Sequence, residues 1–91
     1  MRFEWDEDKA LKNAKKHRVS FEQAQQAFED PRAVPFEDVR NSRHDETRYV
    51  MIGMSSIGLL FVSFTHRDEV VRLISARRTE KWMVKVYEDE N

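Results

Sequence analysis

The run RYVMIGMSSIGLLFVSFTHRDEVVRLISA, residues 48–76, decides the fold. It holds three stretches dense in β-branched and aromatic residues: Arg48 to Met54, Leu59 to Thr65, and Val70 to Ala76. Such side chains suit a pleated, half-buried surface. Between them stand Ser55-Ser56-Ile57-Gly58 and Arg67-Asp68-Glu69, short polar segments that turn the chain straight back. The three stretches predict an antiparallel meander whose buried side chains include Val50, Ile52, Leu60, Val62, Leu73 and Ile74. The apolar-rich segment inside this run, Met51 to Phe64, is interrupted by Gly53, Ser55, Ser56, Gly58 and Ser63. It is too short and too broken to cross a bilayer as a helix.

Upstream the period changes. Phe3 and Trp5 alternate with charged residues, which predicts a short opening strand. Asp6 can then cap a helix running to about His17, with Glu7 and Asp8 against its positive end. Ser20 caps a second helix, and Gln23 three residues on completes a capping box. Phe21, Ala24, Ala27 and Phe28 share one face of it, and Pro31 ends it. The two helices must form a hairpin with Arg18 and Val19 at the corner. Val34 and Phe36 then predict a strand, at a sheet edge because Pro35 lies within it. Residues 37–46 are a polar loop. Thr79 can cap a last helix with Trp82, Met83, Val86 and Tyr87 on its apolar side. The order β-α-α-β-β-β-β-α gives an α+β domain over residues 1–91, with helices packed on an antiparallel sheet.

Composition narrows the function classes. Of 91 residues, 40% are hydrophobic and 36% charged, which is globular rather than disordered. There is no cysteine, so thiolate chemistry and disulfides are excluded. The N-terminal MRFEWDEDK has no apolar stretch for a signal peptide, and the expectation is a soluble, cytoplasmic protein without membrane contact. The three histidines, at 17, 44 and 66, lack the spacing of a metal site, so no metal or cofactor is expected. Net charge is −1, yet the cations are clustered. Lys9, Lys12, Lys15, Lys16 and Arg18 crowd one segment; Arg67, Arg72, Arg77, Arg78, Lys81 and Lys85 crowd another. If folding brings the two together they form a cationic face; otherwise each is a solvated helix face.

Several strings resemble the BrnT family. They are Phe3-x-Trp5-Asp6-x-x-Lys9, Asn13, Lys16-His17-x-Val19-Ser20-Phe21, then Ala24, Phe28 and Asp30-Pro31. Later come Glu46-x-Arg48, Gly53, Arg72-x-Ile74-Ser75-Ala76-Arg77, Glu80 and Tyr87. The resemblance implies a RelE-like fold and a metal-independent endoribonuclease that acts as the toxin of a type II toxin-antitoxin system, cleaving RNA and inhibiting translation and growth. It also implies a BrnA-like antitoxin partner carrying a ribbon-helix-helix domain. One departure is Arg18, where the family usually has glycine to close the first helix in a left-handed conformation. Another is Thr79 with Trp82, where basic residues are more usual and a weaker RNA-contacting face is therefore expected.

Metal-free RNA cleavage needs a base for the 2′-hydroxyl, an acid for the leaving 5′-oxygen, and cations around the phosphorane. Arg77, Arg48, Lys16 and His17 are the catalytic candidates. Arg77 ends the last strand just before a helix N-terminus, a natural phosphate site; a salt bridge to Glu80 or to an N-terminal carboxylate is the structural alternative. Arg48 either meets phosphate or pairs with Glu46 or Glu69. His17 either moves a proton or caps helix carbonyls. Lys12, Lys15, Arg67, Arg78, Lys81 and Tyr87 are the RNA-binding candidates, with core packing the alternative for Tyr87. The competing function is a non-catalytic module that binds protein or nucleic acid through the same basic face.

Overall fold

The computed structural model describes residues 1–91 and contains eight regular elements in the expected order. These are β1 (Arg2–Glu4), α1 (Glu7–His17), α2 (Phe21–Ala27), β2 (Val34–Glu37), β3 (Arg48–Ser55), β4 (Gly58–Arg67), β5 (Val70–Arg78) and α3 (Lys81–Asp89). A 3₁₀ turn, Val39–Asn41, interrupts the polar loop. The strands form one sheet in the order β1-β5-β4-β3-β2. The meander β3-β4-β5 is antiparallel, its turns reduced to Ser56-Ile57 and Asp68-Glu69, and β2 is the expected edge strand. β1 joins the far edge beside β5 in parallel, which makes the sheet mixed rather than wholly antiparallel. The reason is chain path: the helical hairpin intervenes between β1 and β2 and carries the chain to the opposite edge.

The local signals explain the hairpin. The Asp6 carboxylate accepts from the Lys9 N–H at 3.1 Å, and Ser20 and Gln23 exchange reciprocal bonds of 3.0 and 2.9 Å. Arg18 closes α1 at φ 59°, ψ 32°, the left-handed conformation that glycine usually supplies. Two boundaries differ from expectation. α2 ends at Ala27, before Pro31, with a turn linking them; α3 begins one residue late, with Glu80 at its N-cap, because β5 stays paired with β4 through Arg78.

The core lies between the sheet and the helical hairpin. Val19, Phe21, Ala24 and Ala27 pack on Met51, Leu60, Val62, Phe64, Val71, Leu73 and Ala76. Trp5 packs edge-on to Phe21, and Phe28 edge-on to Phe3 and Phe64, as partly buried flanks. Val50 and Ile52 are buried too, but strand alternation puts them on the opposite face from Met51, away from the hairpin. Ile74 is only half-buried, because it is the extra residue of a β-bulge: Ser63 pairs with Ser75, and Phe64 with Leu73. The bulge lets Leu73 and Ala76 both face the hairpin although they are three positions apart.

Candidate functional site

The face turned away from the hairpin buries Val50 and Ile52 of β3 and leaves the β4 and β5 side chains partly open. Its first row is Ile52, Phe61 and Arg77; its second is Val50, Ser63 and Ser75; its third is Arg48, Thr65 and Arg72. α3 leaves the end of β5 and packs against β3, burying Met83 completely. Its Trp82 ring stands edge-on to Phe61, with centroids 6.5 Å apart.

Arg77 belongs to this face. Its guanidinium lies 5.0 Å from the centroid of the Phe61 ring, a cation–π contact, and 3.9 Å from the Glu80 carboxylate. Both ends of that ion pair are well exposed (38% and 59%), so it is worth less than about 1 kcal/mol and leaves the guanidinium available. Glu80 also accepts a 2.7 Å bond from the Trp82 indole N–H. Arg48 sits two strands across and four residues along, about 16 Å from Arg77 by strand spacing. Its Nε is buried with no hydrogen-bond partner, and no ion pair joins it to Glu46 or Glu69. Glu46 instead pairs with Arg43.

The structure brings α1 against β5 through one residue. The buried Asn13 side chain donates to the carbonyl oxygens of Ala76 and Val19 at 2.8 and 2.9 Å and accepts from the Ala76 N–H at 3.0 Å. Lys16 and His17 lie one helical turn beyond Asn13, on the helical side of the sheet, whereas Arg77, the residue after the hairpin-facing Ala76, points to the opposite face. No hydrogen bond or ion pair links Lys16 or His17 to Arg77 itself. Lys12, Lys15 and Lys16 are exposed, and His17 is half-buried. Lys81 is exposed in the first turn of α3. Arg78 points to the other side, where it donates to the Ile57 carbonyl at 2.9 Å. Arg67 lines an open cleft of about 460 Å³ at the far end of the sheet, with Glu4, Glu46, Tyr49, Thr65 and Arg72.

Tyr87 is tied into the scaffold. Its hydroxyl donates to Asp30 at 2.6 Å, and the same carboxylate accepts from the Met54 and Arg32 N–H groups at 2.8 and 2.9 Å. Burial pushes the Asp30 pKa up, but the bonds from Tyr87, Arg32 and Met54 and the Arg32 charge outweigh it and hold the carboxyl below its usual value. The bond to Asp30, then burial, raises the Tyr87 pKa. No three His, Asp or Glu side chains converge as metal ligands.

The model of a family described as ribonuclease toxin, BrnT, of type II toxin-antitoxin system matches residues 5–82. The chain belongs to this family. As a BrnT protein it is a ribonuclease toxin, and its partner is an antitoxin. No curated protein matches the chain in sequence comparison. No helix is long and apolar enough to cross a membrane.

The roles of three residues were not read from the sequence. Asn13 reads as one polar residue in a lysine-rich helix, and only its near-complete burial shows its role. Phe61 was given no role, although alternation from the expected core residues Leu60 and Val62 turns it to the opposite face. Trp82 reads as the apolar side of a helix, yet it is 52% exposed. Its spacing of two from Glu80 is the sole local hint.

Proposed function

We propose that the protein is a metal-independent endoribonuclease that cuts RNA on the face carrying Arg77, and that it thereby inhibits translation and growth. The observation that carries the reading is Arg77: a permanently charged fork, set over Phe61 on an open strand face and held by one weak ion pair. Such a group meets the demand of in-line attack by a 2′-hydroxyl, in which negative charge builds on the phosphorane oxygens. Arg48 serves a neighbouring backbone phosphate through the outer nitrogens of its guanidinium, and Ser63, Ser75 and Thr65 line the path between them. Lys16 and His17, in the last turn of α1, reach RNA only where it bends round the bare edge of β5 from the Arg77 face; His17 is the candidate proton carrier there. Lys12, Lys15, Arg67 and Lys81 extend the cationic rim. The work is cytoplasmic, where RNA is, and the antitoxin is of the ribbon-helix-helix type, silencing the toxin by occupying this face.

The test is cleavage of a long RNA by the purified protein in EDTA. The expected products are internal cuts ending in a 2′,3′-cyclic or 3′-phosphate, with a 2′-deoxy substitution at the cut site blocking the reaction. Intact RNA, or cleavage that EDTA abolishes, overturns the reading and favours a binding module.

A further inference from the structure

We propose that Trp82 is the stacking platform for the RNA base adjacent to the phosphate that Arg77 holds. The inference rests on the RNA-cleaving reading above and names how that site grips its substrate. Trp82, at the start of α3, is 52% exposed, so much of this large amphipathic ring is open to a ligand.

Its orientation is preset. The indole N–H is committed to Glu80 at 2.7 Å, and the ring meets Phe61 at 6.5 Å with the planes at 65°. Arg77 is fixed by the same two residues, 5.0 Å above the Phe61 ring and 3.9 Å from Glu80. Phe61 and Glu80 thus hold one cation and one aromatic plate side by side, each within 7 Å of the Phe61 centroid. This pairing matches a single nucleotide, which presents a charged phosphate and a flat base. Stacking on a ring needs no sequence-specific hydrogen bond, since every base has a π-face. The bases must be unstacked to reach Trp82, so the substrate is single-stranded RNA rather than a duplex.

The measurement uses an oligoribonucleotide with a 2′-deoxy sugar at the mapped cut site, so that it binds without being cut. In a Trp5→Phe protein the sole indole is Trp82, and its fluorescence should be quenched on binding. Trp82→Ala should weaken binding by about 5- to 150-fold, the value of one stacked base, whereas Trp82→Phe should recover most of it. The salt dependence of binding should not change, because no phosphate contact is lost. An abasic site next to the cut should weaken the unsubstituted protein by a similar factor and add nothing in Trp82→Ala. Unchanged fluorescence, or a Trp82→Ala loss that persists undiminished on abasic RNA, overturns the stacking proposal. Failure of the unsubstituted protein to cut any RNA is a different result, and it overturns the ribonuclease site on which the proposal stands.

Discussion

Asn13 acts as one more strand on the sheet, because its side-chain amide both donates to and accepts from the main chain of Ala76. β1 pairs with β5 only from Val70 to Arg72, so the outer edge of β5 beyond that is bare. An asparagine amide has the donor and acceptor of a peptide group, and here it bonds both main-chain groups of that edge residue. Its second donated bond, to Val19, ties the corner after α1 to the same point. Asn13→Ala strands three buried backbone groups and should destabilise the protein by about 3 kcal/mol or more, read in denaturant melts. Asn13→Asp should do no better, since a carboxylate cannot donate to the two carbonyls. A melt within 0.5 kcal/mol of the unsubstituted protein, about the scatter of neutral surface changes, would show that water replaces these bonds.

Arg18 has the opposite character: it is exposed and strained. At φ 59° its Cβ crowds the backbone, and its N–H still closes α1 by donating to the Ala14 carbonyl at 2.9 Å. Arg18→Gly should therefore stabilise the fold by about 1 kcal/mol, after the larger unfolded-state entropy of glycine is set against the relieved strain. The readout is the denaturation midpoint, with the slope unchanged.

Gly53 has no such freedom to give away. A Cβ at this position would stand 2.7 Å from the Ala27 carbonyl oxygen and 2.9 Å from the Ala27 Cβ. The close approach of α2 to β3 depends on that missing atom. Gly53→Ala should cost about 1–3 kcal/mol, since the clash is with backbone and not with a mobile side-chain end. A Gly53→Ala melt indistinguishable from that of the unsubstituted protein would show that α2 can shift off β3 at no cost and that the close approach is not needed.

Asp30 makes stability depend on acid. Its folded pKa lies below the unfolded value, so it stabilises the fold above the usual carboxylate range and loses that contribution as pH falls through the folded pKa. Asp30→Asn keeps the shape but weakens charge-assisted bonds from Tyr87, Met54 and Arg32. It should cost about 1.5–3 kcal/mol at pH 7. It should also flatten the decline in stability between pH 5 and pH 3 compared with the unsubstituted protein. Parallel pH profiles for the two proteins would mean that other carboxylates carry the acid sensitivity.

What the sequence disclosed divides along local and non-local lines. Asp6, Ser20 with Gln23, and Pro35 announce caps and an edge strand through short-range chemistry, and each is found where it was expected. The β-branched runs announce three strands and two tight turns. Register and facing depend instead on which strands become neighbours. Val50 and Ile52 were legible as buried but not as facing away from the hairpin, and the bulge at Ile74 leaves no local signature. The parallel seat of β1 is a long-range outcome of chain path. Arg77 was legible as a candidate because it stands near the end of a strand before a helix. Its neighbours Phe61 and Trp82 were not, because a pairing across β4 and β5 and a turn into α3 bring them together.

The functional expectation is an ordering of two substitutions. Arg77 sits over Phe61 on the open face, whereas Lys12 projects from the exposed side of α1 next to Asn13. If Arg77 meets the phosphate that is cut, Arg77→Ala removes charge stabilisation from the transition state, a loss of about 100- to 1000-fold in cleavage rate. Growth arrest on induction should disappear, while the protein stays folded, since the ion pair to Glu80 contributes little. Lys12→Ala removes at most one rim contact with the RNA backbone. It should leave toxicity largely intact and lower the slope of binding against salt by roughly one unit. Both proteins are to be compared at equal soluble abundance, with antitoxin co-expression as the control that reverses arrest. Full toxicity of Arg77→Ala would assign Arg77 to the scaffold through Glu80 and Phe61, and the cut phosphate would then have to lie elsewhere on the face, with Arg48 the cation to examine.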